Sequence, residues 1–251
     1  MTTFEAMFKK RKIDFLVIGA QKSGTTSLYE YLTAHLLIDS AKKKEVHYFD
    51  FNYDEGVNWY HKRFLWKRNH LQGEATPHYL FDANCAARAF KYNPNLKLIT
   101  ILRNPIGRAF SHYKMNVNRG AENLSFLDAL NKEDERILET KKLEYGSSKA
   151  VYSYKSRGLY AKQLNGWLEH FPKNQLMVLD YERFFKNPWD EIQKVYRFLG
   201  LPDYHGCLKD FTSNKNVGNM SIPEDAETQL RQYFAEPNRI LAQQYGINFE
   251  E

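Results

Sequence analysis

The chain has 251 residues, of which 43% are hydrophobic, 15% aromatic and 26% charged, and its formal net charge is +6 at pH 7. This length and apolar content suit one α/β domain with its own core, and the many aromatic residues argue against disorder. The positive charge favours an anionic ligand, but it equally suits nucleic acid or a membrane surface. The two cysteines, Cys85 and Cys207, form no CxxC pair, which argues against a disulfide framework or a zinc site.

The sequence shows no sign of membrane insertion or secretion. No stretch approaches the run of about 20 apolar residues that a membrane span needs. The N-terminal MTTFEAMFKKRK lacks the apolar segment of a signal peptide. We therefore expect a cytoplasmic protein without a membrane span, in which residues 1–12 form a flexible N-terminus.

The first predicted elements flank the turn QKSGTT. The short apolar run Phe15–Ile18 predicts a buried strand, and the helical spacing of apolar residues over Thr25–Leu36 predicts a helix. Free backbone N–H groups and the helix dipole favour an anion in such a turn, and Lys22 adds a full positive charge. The alternative is an ordinary strand-to-helix turn with a solvated lysine.

The turn departs from the Walker A pattern in the position of its lysine. Gly19 and Gly24 have the Walker spacing, but Thr25 stands where the lysine should follow the second glycine. Lysine before that glycine resembles the 5′-phosphosulfate loop of sulfotransferases that use 3′-phosphoadenosine 5′-phosphosulfate (PAPS). The resemblance implies that the lysine contacts the bridging oxygen and that the glycine and hydroxyls hold the 5′-phosphate. It assigns to co-substrate binding the residues Lys22, Ser23, Gly24, Thr25, Thr26 and Ser27.

A second candidate motif, SAKKKEVHYFD, covers Ser40–Asp50. In an extended segment Glu45 and His47 point to the same side, and a carboxylate beside an imidazole suits general base catalysis. The alternative is a solvated charged loop in which Asp50 is a cap. The motif resembles the KE-x-H-[FY]-F-D element of heparan sulfate sulfotransferases. That resemblance implies that Glu45 is the catalytic base, that His47 assists it, and that Asp50 supports the base or the acceptor.

The segment Leu71–Tyr79 reads LQGEATPHY and predicts a short strand that ends in a turn at Pro77. Related glycan sulfotransferases have E-K-[ST]-P-x-Y at this point, with the lysine in the active site. This chain has Ala75 instead, which argues against a polyanionic heparan-type acceptor and favours a smaller or less anionic one. We assign His78 to acceptor binding.

The next predicted strand, Leu96–Leu102, runs directly into RNPIGRAFSHY. Asn104 suits the N-cap of a helix, with Pro105 at its first position. Parallel strands present their ends along one sheet edge, so this turn should lie beside the first one. The run resembles the 3′-phosphate element R-[END]-P-x-x-R-A-x-S-x-Y of the same family, which implies that Arg103 and Ser111 bind the 3′-phosphate. A capped surface helix with an unrelated arginine is the alternative.

The rest of the chain carries weaker signals. Residues 119–156 have little pattern, and we expect a surface insertion. Apolar spacing predicts a helix over Arg157–Phe171, and the run Leu176–Tyr181 predicts a third strand. Lys215 lies in a polar loop near the place where sulfotransferases close a basic loop over the co-substrate. It is a candidate phosphate ligand, and a solvated loop is equally compatible with the sequence.

Together these patterns predict one α/β domain over residues 1–251, with a P-loop-like three-layer fold in which helices flank a central parallel sheet. The expected function is transfer of a sulfuryl group from PAPS to a hydroxyl or amine of a saccharide or small-molecule acceptor. The product would be 3′-phosphoadenosine 5′-phosphate (PAP), and no metal is expected.

One alternative is a P-loop kinase with Asp180 as its magnesium ligand, although the Walker lysine is missing. Another is a nucleotide- or nucleic-acid-binding module, but the basic residues are not interleaved with aromatic ones as such surfaces require. We expect no nucleic-acid partner, and the oligomeric state stays open.

Overall fold

The computed structural model describes residues 11–140, 144–204, 206 and 221–249. Lys215 and Cys207 lie outside the described residues. Within these ranges the chain forms one sheet of five parallel strands in the order β2-β3-β1-β4-β5. The strands are β1 (Phe15–Gly19), β2 (Ile38–Ser40), β3 (Leu71–Ala75), β4 (Lys97–Leu102) and β5 (Leu176–Asp180).

Helices connect and cover the strands. In chain order, those in the described ranges are α1 (Thr25–Thr33), α2 (Val57–His61), α3 (Ala83–Tyr92), α4 (Pro105–Asn118), α5 (Phe126–Leu138), α6 (Ser148–Val151), α7 (Tyr160–Leu168), α8 (Tyr181–Lys186), α9 (Pro188–Leu199) and α10 (Glu224–Tyr245).

The two faces of the sheet are buried in two apolar clusters. Every residue of β1 is buried, and its side chains alternate between the faces, as the period of a strand requires. Leu16 and Ile18 belong to the cluster formed with α3 and α7. Phe15 and Val17 belong to the cluster formed with α1 and α9. This arrangement confirms the predicted three-layer fold with a central parallel sheet.

The register of the sheet brings the two predicted phosphate-binding turns together. β1 lies between β3 and β4, with Phe15 opposite Gly73 on one side and Lys97 on the other. The first residue after β1, Ala20, donates its N–H to Ile101 O of β4 at 2.9 Å. The turn after β1 and the turn after β4 therefore start side by side on the carboxyl edge of the sheet.

The segment that we expected to be a surface insertion has one buried and one exposed face. Phe126 and Leu130 of α5 join a third apolar cluster with Ile106 of α4 and Phe234 of α10. On its outer side, Tyr145 is 84% exposed. The segment therefore packs against α4 while it also borders the solvent.

Some element boundaries differ from the sequence prediction. α1 ends at Thr33, and Leu36 beyond it is 70% exposed. The ring of His35 accepts a hydrogen bond from Leu37 N at 3.0 Å, which turns the chain out of the helix and into β2. The helix predicted from Arg157 starts only at Tyr160, after a 3₁₀ turn over Ser156–Gly158.

Candidate active site

The turn after β1 presents an uncapped helix N-terminus. Lys22 and Gly24 both have left-handed backbone conformations, with φ of 68° and 80°. No side chain caps α1, and its first turn contains no acidic residue. The first N–H groups of α1 are therefore available to an anion. Of the hydroxyl residues expected to bind the co-substrate, Ser23, Thr25 and Ser27 are buried and Thr26 is half-buried.

Two aromatic rings from α8 pack against the first turn, and one of them also contacts the second turn. A Cβ atom on Gly24 would lie 2.5 Å from Cε2 of Phe185 and 3.3 Å from Cε2 of Tyr181. The guanidinium carbon of Arg103 lies 4.9 Å from the centre of the Tyr181 ring. Tyr181 therefore contacts both turns, whereas the sequence pattern predicts only that it ends a strand.

Lys22 is surrounded by other cations. Burial lowers its pKa, and the positive charges of Arg119, Arg103 and Lys114 lower it further, while the charge of Glu45 opposes them. Among the described residues, none of the four cations has an ion-pair partner, since the salt bridges found within 4.0 Å all involve other groups. Such a cluster suits a ligand with several negative charges. Lys114 and Arg119 could not be predicted from the sequence, because no local pattern marks the end of α4 as part of a site.

The turn after β4 forms as the sequence predicted. The side chain of Asn104 accepts a hydrogen bond from Ile106 N at 3.0 Å and thereby caps α4, whose first residue is Pro105. The backbone carbonyl of Arg103 accepts a hydrogen bond from the Tyr160 hydroxyl at 2.9 Å. Ser111 lies farther along the same helix and is buried. The turn thus fixes the backbone of Arg103 and leaves its guanidinium group on the Tyr181 ring.

The candidate catalytic loop differs from the extended segment that we expected. Glu45 and His47 both have positive φ, at 62° and 55°, so the loop makes two tight turns. Two contacts to the end of β3 hold these turns. Glu45 N donates to Ala75 O at 3.0 Å, and His47 N donates to the hydroxyl of Thr76 at 3.4 Å. The side chains of Glu45 and His47 meet because of these turns and not because of strand alternation.

Four side chains in and beside this loop form a connected series. Glu45 Oε2 lies 3.7 Å from His47 Nε2, and His47 Nδ1 lies 2.7 Å from Asp50 Oδ2. The same Asp50 oxygen lies 3.1 Å from His78 Nδ1. The other oxygen of Glu45 forms an ion pair with Lys44 Nζ at 2.8 Å.

The electrostatics of the series favour charged Glu45 and His47 at neutral pH. The neighbouring His47, followed by the charge of Lys44, holds the pKa of Glu45 at about 2, although burial opposes this shift. Burial lowers the pKa of His47, but the contacts with Asp50 and Glu45 outweigh it and raise that pKa to about 9. Glu45 is therefore a carboxylate beside an imidazolium cation.

Solvent exposure decreases along the series from Glu45 to Asp50 and His78. The Glu45 side chain is 48% exposed and that of His47 is 20% exposed. The side chains of Asp50 and His78, which we expected to contact the acceptor, are 0% and 7% exposed. Because they are buried, their contacts are made to His47 and to each other, and this favours a supporting role over direct contact with the acceptor.

Aromatic rings border the exposed end of the series. The Phe51 ring stacks on the His47 imidazole, with ring centres 5.0 Å apart and an interplanar angle of 23°. The exposed Tyr145 ring contacts Phe51 edge-on, at 5.9 Å. The Ala75 side chain is fully buried. Aromatic rings therefore lie beside the exposed end of the series, and the side chain at position 75 carries no charge.

Two features are absent from the described residues. No group of three or more histidine, cysteine or acidic side chains in them is arranged to hold a metal ion. No helix among them is long and apolar enough to cross a membrane.

The chain is similar to known proteins in sequence. A family model described as a sulfotransferase domain matches residues 12–234. Heparan sulfate glucosamine 3-O-sulfotransferase 3B1 of Mus musculus is 30% identical over 272 aligned residues, which cover 98% of this chain and 66% of the relative. Heparan sulfate glucosamine 3-O-sulfotransferase 3A1 of Homo sapiens is 34% identical over 190 residues, which cover 74% of this chain and 44% of the relative. The chain thus spans between 44% and 66% of the length of these two relatives.

Solved structures show the same architecture. A sulfotransferase from Alicyclobacillus acidocaldarius superimposes with a TM-score of 0.82 at 29% identity, over 95% of this chain and 98% of that one. Mouse sulfotransferase SULT7A1, solved in complex with PAP, shares the fold with a TM-score of 0.57 at 18% identity, over 91% of this chain and 85% of that one. With a family model over most of its length and relatives of 30% identity or more, the chain belongs to the sulfotransferase family.

Proposed function

We propose that this protein transfers a sulfuryl group from PAPS to a saccharide acceptor. The observation that carries the proposal is the position of Lys22, which lies within electrostatic reach of Glu45 as well as of Arg103. A cation for the leaving phosphate is thus near both a base for the acceptor and an anchor for the far end of the nucleotide. Sulfuryl transfer needs these three elements at one place.

The residues present fit the co-substrate. The uncapped N-terminus of α1 offers N–H groups to a 5′-phosphate, and the turn before it carries the buried hydroxyl of Ser23. Arg103 and Ser111 of the second turn are the proposed ligands of the 3′-phosphate. PAPS supplies the sulfuryl group when it is bound. ATP lacks a 3′-phosphate, so Arg103 and Ser111 would select PAPS over ATP. Lys215 stays a candidate ligand.

Glu45 is the proposed general base. Its carboxylate is ionised and exposed, so it can accept a hydrogen bond from an acceptor hydroxyl or amine. With a pKa of about 2 it is a weak base, so we expect it to take the proton only once the new sulfur–oxygen or sulfur–nitrogen bond has made the acceptor acidic. His47 keeps Glu45 ionised and oriented. Lys22 stabilises the negative charge that develops on the leaving phosphate.

The proposed acceptor class is supported by the relatives and by the side chains beside Glu45. Two relatives are named for transfer to a glucosamine of heparan sulfate, and we propose a saccharide acceptor for this chain as well. The buried Ala75 and the rings of Phe51 and Tyr145 favour a less anionic saccharide than heparan sulfate. A cytoplasmic location stays a prediction from the sequence.

The kinase alternative loses its metal ligand. Asp180 Oδ1 accepts a hydrogen bond from Arg183 N at 2.8 Å and caps α8. This carboxylate already has a structural role, and the Walker lysine is replaced by Thr25. The geometry therefore favours sulfuryl transfer over phosphoryl transfer.

The test is the substitution Glu45→Gln, with Glu55→Gln as the matched control. Glu55 is an exposed glutamate in the 3₁₀ turn Tyr53–Glu55, and it is not part of the proposed site. PAP release is measured with PAPS and a panel of neutral and anionic saccharides. We expect Glu45→Gln to lower kcat by roughly 10²–10⁴-fold, the usual contribution of a general base, with unchanged affinity for PAP. Full turnover in Glu45→Gln would remove the assigned base, and an unmodified chain that releases no PAP with any acceptor would contradict the proposal.

A further inference from the structure

His78 is the one member of the connected series that the family motifs do not specify. The related pattern E-K-[ST]-P-x-Y allows any residue at its position. In the structure, one oxygen of Asp50 is shared by two imidazoles, at 2.7 Å from His47 Nδ1 and 3.1 Å from His78 Nδ1. The other oxygen, Oδ1, accepts a hydrogen bond from Phe51 N at 2.7 Å. His78 is thus the only further side chain that the described residues place on the carboxylate behind His47.

A second contact connects His78 with His47 independently of Asp50. The centre of the His78 ring lies 4.7 Å from that of the Phe51 ring. Phe51 in turn stacks on the His47 imidazole, with ring centres 5.0 Å apart. His78 therefore supports both groups that hold the His47 imidazole, the carboxylate at its Nδ1 and the ring on its face. Both contacts are made in the interior, because the His78 side chain is 7% exposed.

We propose that His78 is a positioning residue for the base: through Asp50 and Phe51 it fixes the His47 imidazole, which in turn orients Glu45. The inference rests on the proposed sulfuryl transfer, and it replaces our expectation that His78 contacts the acceptor. His78 forms no bond to substrate and exchanges no proton in this role. It acts on the rate only through the geometry of His47 and Glu45.

The charges around His78 keep it neutral. The charged groups that face it are Asp50 and His47 of the catalytic loop and Arg157 of the 3₁₀ turn before α7. Arg157 lies on the Phe81 ring, at 4.3 Å from its centre, and Phe81 borders His78. Burial, followed by the charge of Arg157, lowers the pKa of His78 to about 4, against the opposing effect of Asp50.

A neutral His78 has a defined polar geometry. A neutral imidazole carries one N–H, and the short contact to Asp50 favours that proton on Nδ1. Neither Nδ1 nor Nε2 forms a hydrogen bond of normal geometry with the described residues, so the 3.1 Å approach of Nδ1 to Asp50 is a contact between a dipole and a charge. The positive charge beside Asp50 therefore belongs to His47, while His78 supplies a dipole. His78 is therefore the neutral support, and His47 is the charged residue next to the base.

Two amide substitutions distinguish Nδ1, the nitrogen of His78 that contacts Asp50, from Nε2. In His78→Asn the side-chain amide lies near the place of Nδ1, whereas in His78→Gln it extends to the place of Nε2. We expect His78→Asn to retain kcat within a few-fold and His78→Gln to lower kcat by up to roughly 100-fold, the effect of a small misplacement of catalytic groups. His170→Gln, a half-buried histidine outside the proposed site, is the control.

The readouts are kcat, the KM for PAPS, the affinity for PAP and the dependence of kcat on pH. We expect equal PAP affinity in all variants. We also expect the alkaline limb of kcat to move to lower pH in His78→Gln alone, because a displaced Asp50 no longer holds the proton on His47. Equal kcat and equal pH profiles in the two variants would overturn the inference, as would a loss of PAP affinity in His78→Asn. An unmodified chain without turnover is a failure of the proposed function instead, and is recognised before any variant is compared.

Discussion

The substitution Gly24→Ala tests whether the proposed phosphate-binding turn depends on its close packing against α8. Gly24 has φ 80° and ψ 17°, a left-handed conformation that costs a residue with a Cβ about 1–2 kcal/mol. The new Cβ would also lie 2.5 and 2.7 Å from Cε2 and Cζ of Phe185, and overpacking of this kind costs about 1–3 kcal/mol. The expected total loss in the free energy of unfolding is therefore roughly 2–5 kcal/mol. Because α1 must shift to relieve the overlap, we expect PAP affinity to fall as well.

Gly200→Ala is the matched control for this prediction. Gly200 ends α9 with φ 82° and ψ 21°, nearly the same conformation as Gly24, but a Cβ there would meet no atom within 4 Å. We expect this control to lose only the backbone cost of about 1–2 kcal/mol and to bind PAP normally. Urea unfolding gives the stability differences and calorimetric titration gives the affinities. Equal stability losses in the two variants, with unchanged PAP affinity in Gly24→Ala, would refute the reasoning.

Two further predictions concern charged groups of the site. Lys22→Ala removes the cation proposed for the leaving phosphate, so we expect kcat to fall roughly 10²–10³-fold. The control Lys162→Ala, on the exposed side of α7, should leave kcat unchanged. Equal steady-state rates for the two variants would contradict the role assigned to Lys22. The pKa of His47 is raised from 6.5 to about 9, so its cation stabilises the fold fully below about pH 6.5 and loses that contribution as the pH rises through about 9. Between about pH 6.5 and 9 the thermal midpoint should therefore fall by more in the unmodified chain than in His47→Gln. Parallel curves of midpoint against pH would show that the imidazolium does not stabilise the fold.

The parts of the structure that the sequence predicted depend on local signals. The strand at Phe15–Ile18 is a short apolar run, and it lies in the middle of the sheet where both faces are covered. The cap at Asn104 depends on a residue and on the proline that follows it, both of which are visible in the sequence. The position of Lys22 relative to Gly24 is also local. The family resemblance could therefore be read from these short stretches alone.

The parts that the sequence did not predict depend on contacts between distant segments. The left-handed turns at Glu45 and His47 are held by the end of β3, which no alternation pattern reveals. The burial of Asp50 and His78 follows from their contact across the site. Arg119 enters the cation cluster only because α4 is long enough to bring its end near Lys22. In each case the determining interaction joins residues far apart in the chain.

The most direct test of the account is a calorimetric titration of the unmodified chain with PAP and, separately, with ATP. Both nucleotides can place a phosphate at the N-terminus of α1, but only PAP has a 3′-phosphate for Arg103 and Ser111. Charge-assisted hydrogen bonds contribute about 1.5–3 kcal/mol each, so we expect PAP to bind at least about 10-fold more tightly than ATP. Equal or tighter binding of ATP would contradict the assignment of both turns to PAPS and would favour the kinase alternative.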